Sequence, residues 1–119
     1  MGVRLLDHQP DILKGHEYQG DFTEYDWFAF EVDGEAYAYA GMCFSQGAPE
    51  AWMYWRIVRP SVAAWKDLRR NVAPEMEERA RLGGACRVMV MTADPNDVDF
   101  DRMVGFMGFS PFKAAVKEV

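Results

Sequence analysis

The sequence predicts an α/β (α+β) fold: a mixed, mostly antiparallel sheet flanked by helices, in one domain over residues 1–119. Three observations carry this reading. Asp33-Gly34 lies between two apolar runs, YDWFAFEV and EAYAYAGMCF, and such a pair favours a two-residue hairpin turn because both central residues take positive φ at low cost. Apolar residues then recur at three- and four-residue spacing from Val62 to Ala80, the period of a helix lying on a sheet. The tail from Arg79 to Val119 reads as a helix end, a Gly83-Gly84 stop, a strand, a capped helix, a Gly108-Phe109 turn and a last strand.

Composition bounds what such a domain does. Hydrophobic residues make up 50% and charged residues 27%, a globular balance that argues against disorder. Aromatic content of 14%, with four Trp and five Tyr, exceeds what a minimal core needs. A net charge of −6 disfavours binding to nucleic acid or anionic membrane through bulk charge. No apolar run approaches the ~20 residues of a membrane span, so a soluble, cytoplasmic protein is expected. Cys43 and Cys86 fall on separate predicted strands without metal-like spacing, which favours reduced core thiols and leaves a single disulfide open.

Taken in order, Val3 to Leu6 is a short strand, and residues 7–24 are a weakly patterned helix or loop in which His8 and His16 read as exposed. The hairpin occupies about 26–44, and Gln46-Gly47-Ala48-Pro49 is a loop. AWMYWRIV is the next strand, with Trp52, Tyr54, Arg56 and Val58 on one face and Met53, Trp55 and Ile57 on the other. Bulk on both faces makes it central. Pro60 and Ser61 open a helix, with Ser61 as N-cap. Val62, Trp65, Leu68, Val72, Met76 and Ala80 form its buried stripe, while Lys66, Asp67, Arg69, Arg70, Glu75, Glu77, Glu78 and Arg81 lie mostly outside. Pro74 either kinks this helix or splits it, because proline lacks the N–H and crowds the preceding turn. After the glycine stop, RVMVMT is a strand, and Asp94-Pro95-Asn96 caps a helix with Asn96 at the N-cap. That helix buries Phe100, Met103, Val104 and Met107, and Phe112 to Val119 closes the sheet.

Arg81-Leu82-Gly83-Gly84-Ala85, Arg87 to Thr92, Asn96 and Met107-Gly108-Phe109 together resemble the C-terminal half of the GNAT superfamily of N-acyltransferases. The resemblance covers about 25–115 and implies a GNAT-like fold with a shortened N-terminal helical region. The pattern is closest to small GNAT-like proteins of tailed bacteriophages, which implies a location in the host cytoplasm or the virion. It also implies acetyl-CoA as cofactor, held where strand backbone pairs with the pantetheine arm and a glycine loop wraps the pyrophosphate. Carried over, the cofactor-binding residues are Ile57, Val58, Arg59, Lys66 and Asn96.

The residues themselves qualify that function. Glycines let amides approach phosphate, and a helix N-terminus adds partial positive charge, yet Arg59 to Leu68 contains no glycine. Aligned from Arg59 or from Pro60, the loop lacks its first glycine. Arg59, Lys66, Arg69 and Arg70 supply positive charge nearby. The family's thiolate-protonating tyrosine, four residues before the turn glycine, corresponds to Val104. Glu50 and Glu31 are the carboxylates near enough to act as general base, Glu50 being the catalytic candidate. Asp94, Asp97, Asp99 and Asp101 lack the glycine and distal glutamate of a calcium loop, so no metal is expected. Two functions stand: a non-catalytic binding or virion-assembly module with a protein partner or as a homo-oligomer, and an acetyl-CoA-dependent N-acetyltransferase acting on an amine of a protein or small molecule.

Overall fold

A computed structural model describes residues 2–13, 22–45, 49–90, 96–110, 115 and 117. Strands β1 (Gly2–Leu6), β2 (Phe22–Val32), β3 (Glu35–Ser45), β4 (Glu50–Ile57) and β5 (Arg87–Val90) form one sheet in that spatial order among the described residues. The first three pairings are antiparallel and β4–β5 is parallel. Both senses follow from the connections: a two-residue turn can only reverse the chain, whereas a helical crossover brings the next strand in parallel. At that turn Asp33 has φ 54° and Gly34 φ 77°, the double positive φ of the hairpin the pair predicts. β4 is paired on both sides, but β3 is the middle strand of the described order.

One register shift matters for the site. Phe30 pairs with Ala38 and Glu31 with Ala36, leaving Tyr37 as an extra residue. A bulge of this kind re-aims a side chain: Tyr37 turns to the same face as Ala38, with its ring 6.4 Å from that of Phe30.

The crossover is one continuous helical run made of α1 (Val62–Asp67), a π-helical turn (Leu68–Val72) and α2 (Ala73–Leu82). Ser61 is the N-cap, its Oγ accepting the Ala64 N–H at 3.0 Å. Pro74 sits at the start of α2 directly after the wide turn, in which the Ala73 N–H reaches back to the Leu68 carbonyl. The missing N–H and bulky ring are thereby absorbed without breaking the run. Trp65, Leu68, Val72, Met76 and Ala80 are buried as the periodicity predicts, but Val62 is 70% exposed. Asp67, expected outside the stripe, is 2% exposed.

The run ends where expected. Gly84 has φ 90°, the Ala85 N–H bonds the Ala80 carbonyl and the Gly84 N–H bonds that of Arg81, which is a Schellman cap. Helix α3 (Val98–Phe106) ends in the same way at Gly108, φ 81°, with the Phe109 N–H on the Val104 carbonyl. Its N-cap is Asp97, whose Oδ1 accepts the Phe100 N–H at 2.9 Å. This corrects the placement of the cap on Asn96, one residue early.

Helices α1, α2 and α3 cover one face of the sheet, where Phe28, Ala40, Met42, Met53, Leu68 and Met103 are fully or almost fully buried. The other face carries Tyr25 stacked on Trp27 at 5.1 Å, with Tyr54 edge-on to both. Residues 14–21, with His16 and most of the predicted N-terminal helical region, lie outside the described residues. So do the loop positions 46–48, the end of the 87–92 strand, Asp94-Pro95 and most of the Phe112–Val119 strand. Of the N-terminal region, a short 3-10 turn (Asp11–Leu13) is described, with Leu13 buried.

Candidate functional site

The C-terminal half of β4 extends beyond its last described pair with β5. The Val58 N–H donates to the Tyr37 carbonyl at 2.8 Å, so the alternation of an antiparallel pair turns the peptide groups of Arg56 and Tyr54 toward β3. Those of Trp55 and Ile57 then face the opposite side, toward β5. The last described β4–β5 pair is Met53 with Val90, short of both.

Helix α1 starts at this end of β4. Arg102 lies over the Trp65 ring at 5.4 Å, and the end of α3 shares a cavity with Ala73, Met76 and Glu77. Phe106, the last residue of α3, also stacks on Trp65 at 5.8 Å, so α3 packs across α1. Val58, Val62 and Val98 are exposed by 36%, 70% and 72%.

Only Val58, Arg59, Pro60 and Ser61 separate β4 from α1. Ser61 caps the Ala64 amide, which leaves the amides of Val62 and Ala63 as the other first-turn donors, with the favourable end of the helix dipole behind them. Lys66, Arg69 and Arg70 are exposed beyond them. Arg59 is engaged elsewhere, its Nη1 donating to Glu35 Oε2 at 2.6 Å. The link holds no glycine cradle for pyrophosphate, and Pro60 removes one amide from it.

Of the sequence-predicted residues, Ile57, Val58, Arg59 and Lys66 thus share one end of the fold, though Arg59 is held by the hairpin. Asn96 precedes the α3 cap on the adjoining helix. Glu50 is not brought to them: it begins β4, about 23 Å from Ile57 at the rise of a strand. Its Oε1 lies 3.5 Å from Arg87 Nη2, and its Oε2 is buried without a hydrogen-bond partner. Val104, in the position of the family tyrosine, is half-buried against the core.

Sequence reasoning missed two features. Tyr37 Oη donates to Asp67 Oδ2 at 2.6 Å, and Asn71 Nδ2 donates to Asp67 Oδ1 at 2.7 Å. Burial, then the Asp67 hydrogen bond and charge, push the Tyr37 phenol well above its ordinary value. The Tyr37 carbonyl also accepts the amides of Val58 and Arg59, so one bulged residue fixes the β4–α1 link to β3 and its ring to α1. The i, i+4 spacing of Asp67 and Asn71 was the one signal available. The second feature is Trp55. Its ring packs between Phe100 at 6.1 Å and Phe109 at 6.2 Å, and its Nε1 is buried with no hydrogen-bond partner.

A cavity of about 490 Å³ opens between α2, β5 and the α3 turn, lined by Met53, Met76, Arg81, Cys86, Arg87 and Phe109 among others, and Phe109 also packs on Trp55. Cys86 is exposed, contrary to the expectation of a core thiol, because it lies in the turn before β5 with its N–H on the Pro49 carbonyl. Cys43 is buried, and both thiols are free. No His, Cys, Asp and Glu grouping able to hold a metal occurs among the described residues, and no described helix is long and apolar enough to cross a membrane.

Solved structures of similar fold include one aminoglycoside N-acetyltransferase and two proteins named as proposed acetyltransferases. The proposed acetyltransferase YycN of Bacillus subtilis aligns with a TM-score of 0.57 at 11% identity, over 83% of this chain and 64% of that one. The aminoglycoside N-acetyltransferase AAC(6')-Iy, solved in complex with CoA, aligns with a TM-score of 0.57 at 16% identity, over 85% and 68%. A probable acetyltransferase aligns at 0.51 with 17% identity, over 81% and 68%. The chain has a GNAT-like fold, and it spans about two thirds of the length of these structures. No family model matches it, and no curated protein does.

Proposed function

We propose that this chain binds acetyl-CoA along the C-terminal half of β4 and passes the acetyl group to an amine. The observation that carries the reading is the stretch of β4 at Trp55 and Ile57, whose peptide groups face the β5 side beyond the last described pair. A similar fold solved with CoA adds support. The thioester supplies an activated acetyl carbon; the amine nitrogen bonds to it, the C–S bond breaks, and the thiolate leaves. On this reading the β4 backbone aligns the pantetheine arm, the Val62 and Ala63 amides with Lys66 hold the phosphates, and Val58 and Val62 give apolar contact beside them. Glu50, the base candidate from the sequence, lies at the far end of β4, where it pairs with Arg87 of β5. An arm beside Trp55 and Ile57 stops short of it, so the amine arrives already deprotonated or loses its proton to water. With Val104 in the tyrosine position, the thiolate takes its proton from water or from the acceptor's own ammonium.

Thermal unfolding with millimolar acetyl-CoA tests binding. At a hundredfold excess over Kd the native state gains about 2.7 kcal/mol, a clear rise in Tm, and release of free CoA thiol on adding amines tests transfer. Lys66→Ala is expected to reduce the Tm rise, whereas Arg59→Ala, whose guanidinium Glu35 already holds, is expected to change it less. A second reading, a non-catalytic module that binds a protein partner or itself, including the assembly role implied by the phage resemblance, is favoured by that same ion pair and the glycine-free link. No Tm rise, together with a co-purifying partner or a stable homo-oligomer, would establish it over the first.

A further inference from the structure

Trp55 presents an anomaly that the fold does not explain. Its indole N–H is out of contact with solvent and has no acceptor, although buried donors are nearly always paired and an unpaired one destabilises the fold. Three other described residues carry such an atom, Glu50, Tyr54 and Arg79. Glu50 and Arg79 are partly compensated by a second polar contact, and Tyr54 lies edge-on to Tyr25 and Trp27 on the other face of the sheet. Glu50 keeps its second oxygen near Arg87. Arg79 donates from Nη2 to Glu75, and its guanidinium lies over the Phe28 ring at 5.1 Å. Tryptophan has a single polar atom, so nothing on Trp55 offsets the loss.

The placement of this donor is informative. Trp55 lies on β4 past the last described pair with β5, on the face covered by α3, wedged between Phe100 and Phe109. Phenylalanine at the same place would fill an apolar slot without the penalty.

We propose that the Trp55 indole N–H is a ligand-binding donor, which takes a carbonyl oxygen of the bound acyl-CoA, either an amide of the pantetheine arm or the thioester itself. This rests on the reading of β4 as the acyl-CoA site. The orphaned state is then a feature of the free protein only: an arm lying beside Trp55 and Ile57 carries carbonyls at the depth of the indole, and a small shift of Phe100 or Phe109 admits one to it. Trp55 supplies the fixed donor in a cleft that lacks the family tyrosine and the glycine loop.

Trp55→Phe separates this role from a packing role. Removing an unsatisfied buried N–H while keeping an aromatic ring leaves the Tm of the free protein unchanged or higher, yet weakens acetyl-CoA binding about five- to tenfold, the worth of one hydrogen bond. In ¹⁵N-labelled protein, the indole resonance missing from the variant identifies Trp55, and acetyl-CoA moves that resonance downfield in the wild type. Desulfo-CoA, which keeps the arm amides but carries no thioester, distinguishes the two acceptors: a retained shift assigns an arm amide and a lost one the thioester. If acetyl-CoA raises the Tm while the Trp55 resonance stays put and Trp55→Phe binds as tightly as wild type, the donor role is wrong and the β4 site stands. If acetyl-CoA neither raises the Tm nor moves the resonance, both fall together. A Trp55→Phe protein that loses stability and affinity in parallel assigns Trp55 to packing and overturns the proposal.

Discussion

Tyr37 reaches three parts of the chain from one bulged position: its carbonyl takes the amides of Val58 and Arg59, and its hydroxyl meets Asp67 in the middle of the helical run. Asp67 is buried and its described hydrogen-bond partners, Tyr37 and Asn71, carry no positive charge, so each donor to it matters more than an exposed one would. Tyr37→Phe removes a hydrogen bond to a buried carboxyl and is expected to cost about 2 kcal/mol in urea unfolding; a loss within error of zero would show that water replaces the hydroxyl. The same burial makes stability depend on alkaline pH. It pushes the Tyr37 phenol up, and it raises the Cys43 thiol from 9.0 to about 11 against a lowering hydrogen bond from Tyr25. The unfolded chain ionises first, so these contributions are complete below pH 9 and are lost as the pH rises toward 11. Unfolding midpoints measured across that window should fall, and Cys43→Ala should fall less steeply from a lower start. Thiol labelling of native protein at neutral pH should modify Cys86 alone, since Cys43 is 0% exposed.

Elements whose signals are local and redundant were legible in the sequence. The Asp33-Gly34 hairpin, the Ser61 cap and the two glycine stops each depend on φ preferences or side-chain oxygens that act within a few residues. Features set by distant chain were not legible. Asp67 falls on the buried side of its helix because a bulge on β3 delivers Tyr37 to it, and no helical period contains that information. Pro74 left a kink and a break equally open because the π-helical turn that accommodates it has no residue signature of its own. The α3 cap moved from Asn96 to Asp97 because both side chains can cap and sequence alone fixes helix ends only within a residue or two. Gly83 illustrates the same limit: as a helix stop it needs only conformational freedom, but a Cβ there would sit 2.5 Å from the Phe44 ring. Gly83→Ala is therefore expected to cost roughly 1–3 kcal/mol through overpacking, although φ at Gly83 is an ordinary −79°. Phe44→Leu should recover part of that loss in a double-mutant cycle; strictly additive effects would place the cost in the backbone instead.

At the scale of the whole molecule, the charge of −6 opposes the reading of β4 as a site for a polyanionic ligand, and the opposition gives a measurable sign. A ligand carrying several phosphates is repelled by the net field at long range and attracted at short range by the α1 start and by Lys66, Arg69 and Arg70. Salt screens both, over a Debye length of about 10 Å at 0.1 M. Contacts made within a few ångströms outweigh a diffuse field spread over the surface, so acetyl-CoA affinity in the wild type should fall as salt rises. Arg59 contributes little to this balance, because Glu35 neutralises it. Lys66→Ala removes the cation one turn into the helix and leaves the net field more negative, so its affinity should fall most at low salt and its salt dependence should flatten or reverse. Titrations of both proteins over a range of salt concentrations read this directly. If wild-type affinity rises with salt, the basic residues do not face the phosphates and the ligand end of β4 has been placed wrongly. If the wild type weakens with salt and Lys66→Ala does not, the helix start and Lys66 do the work that a glycine loop performs elsewhere in this fold.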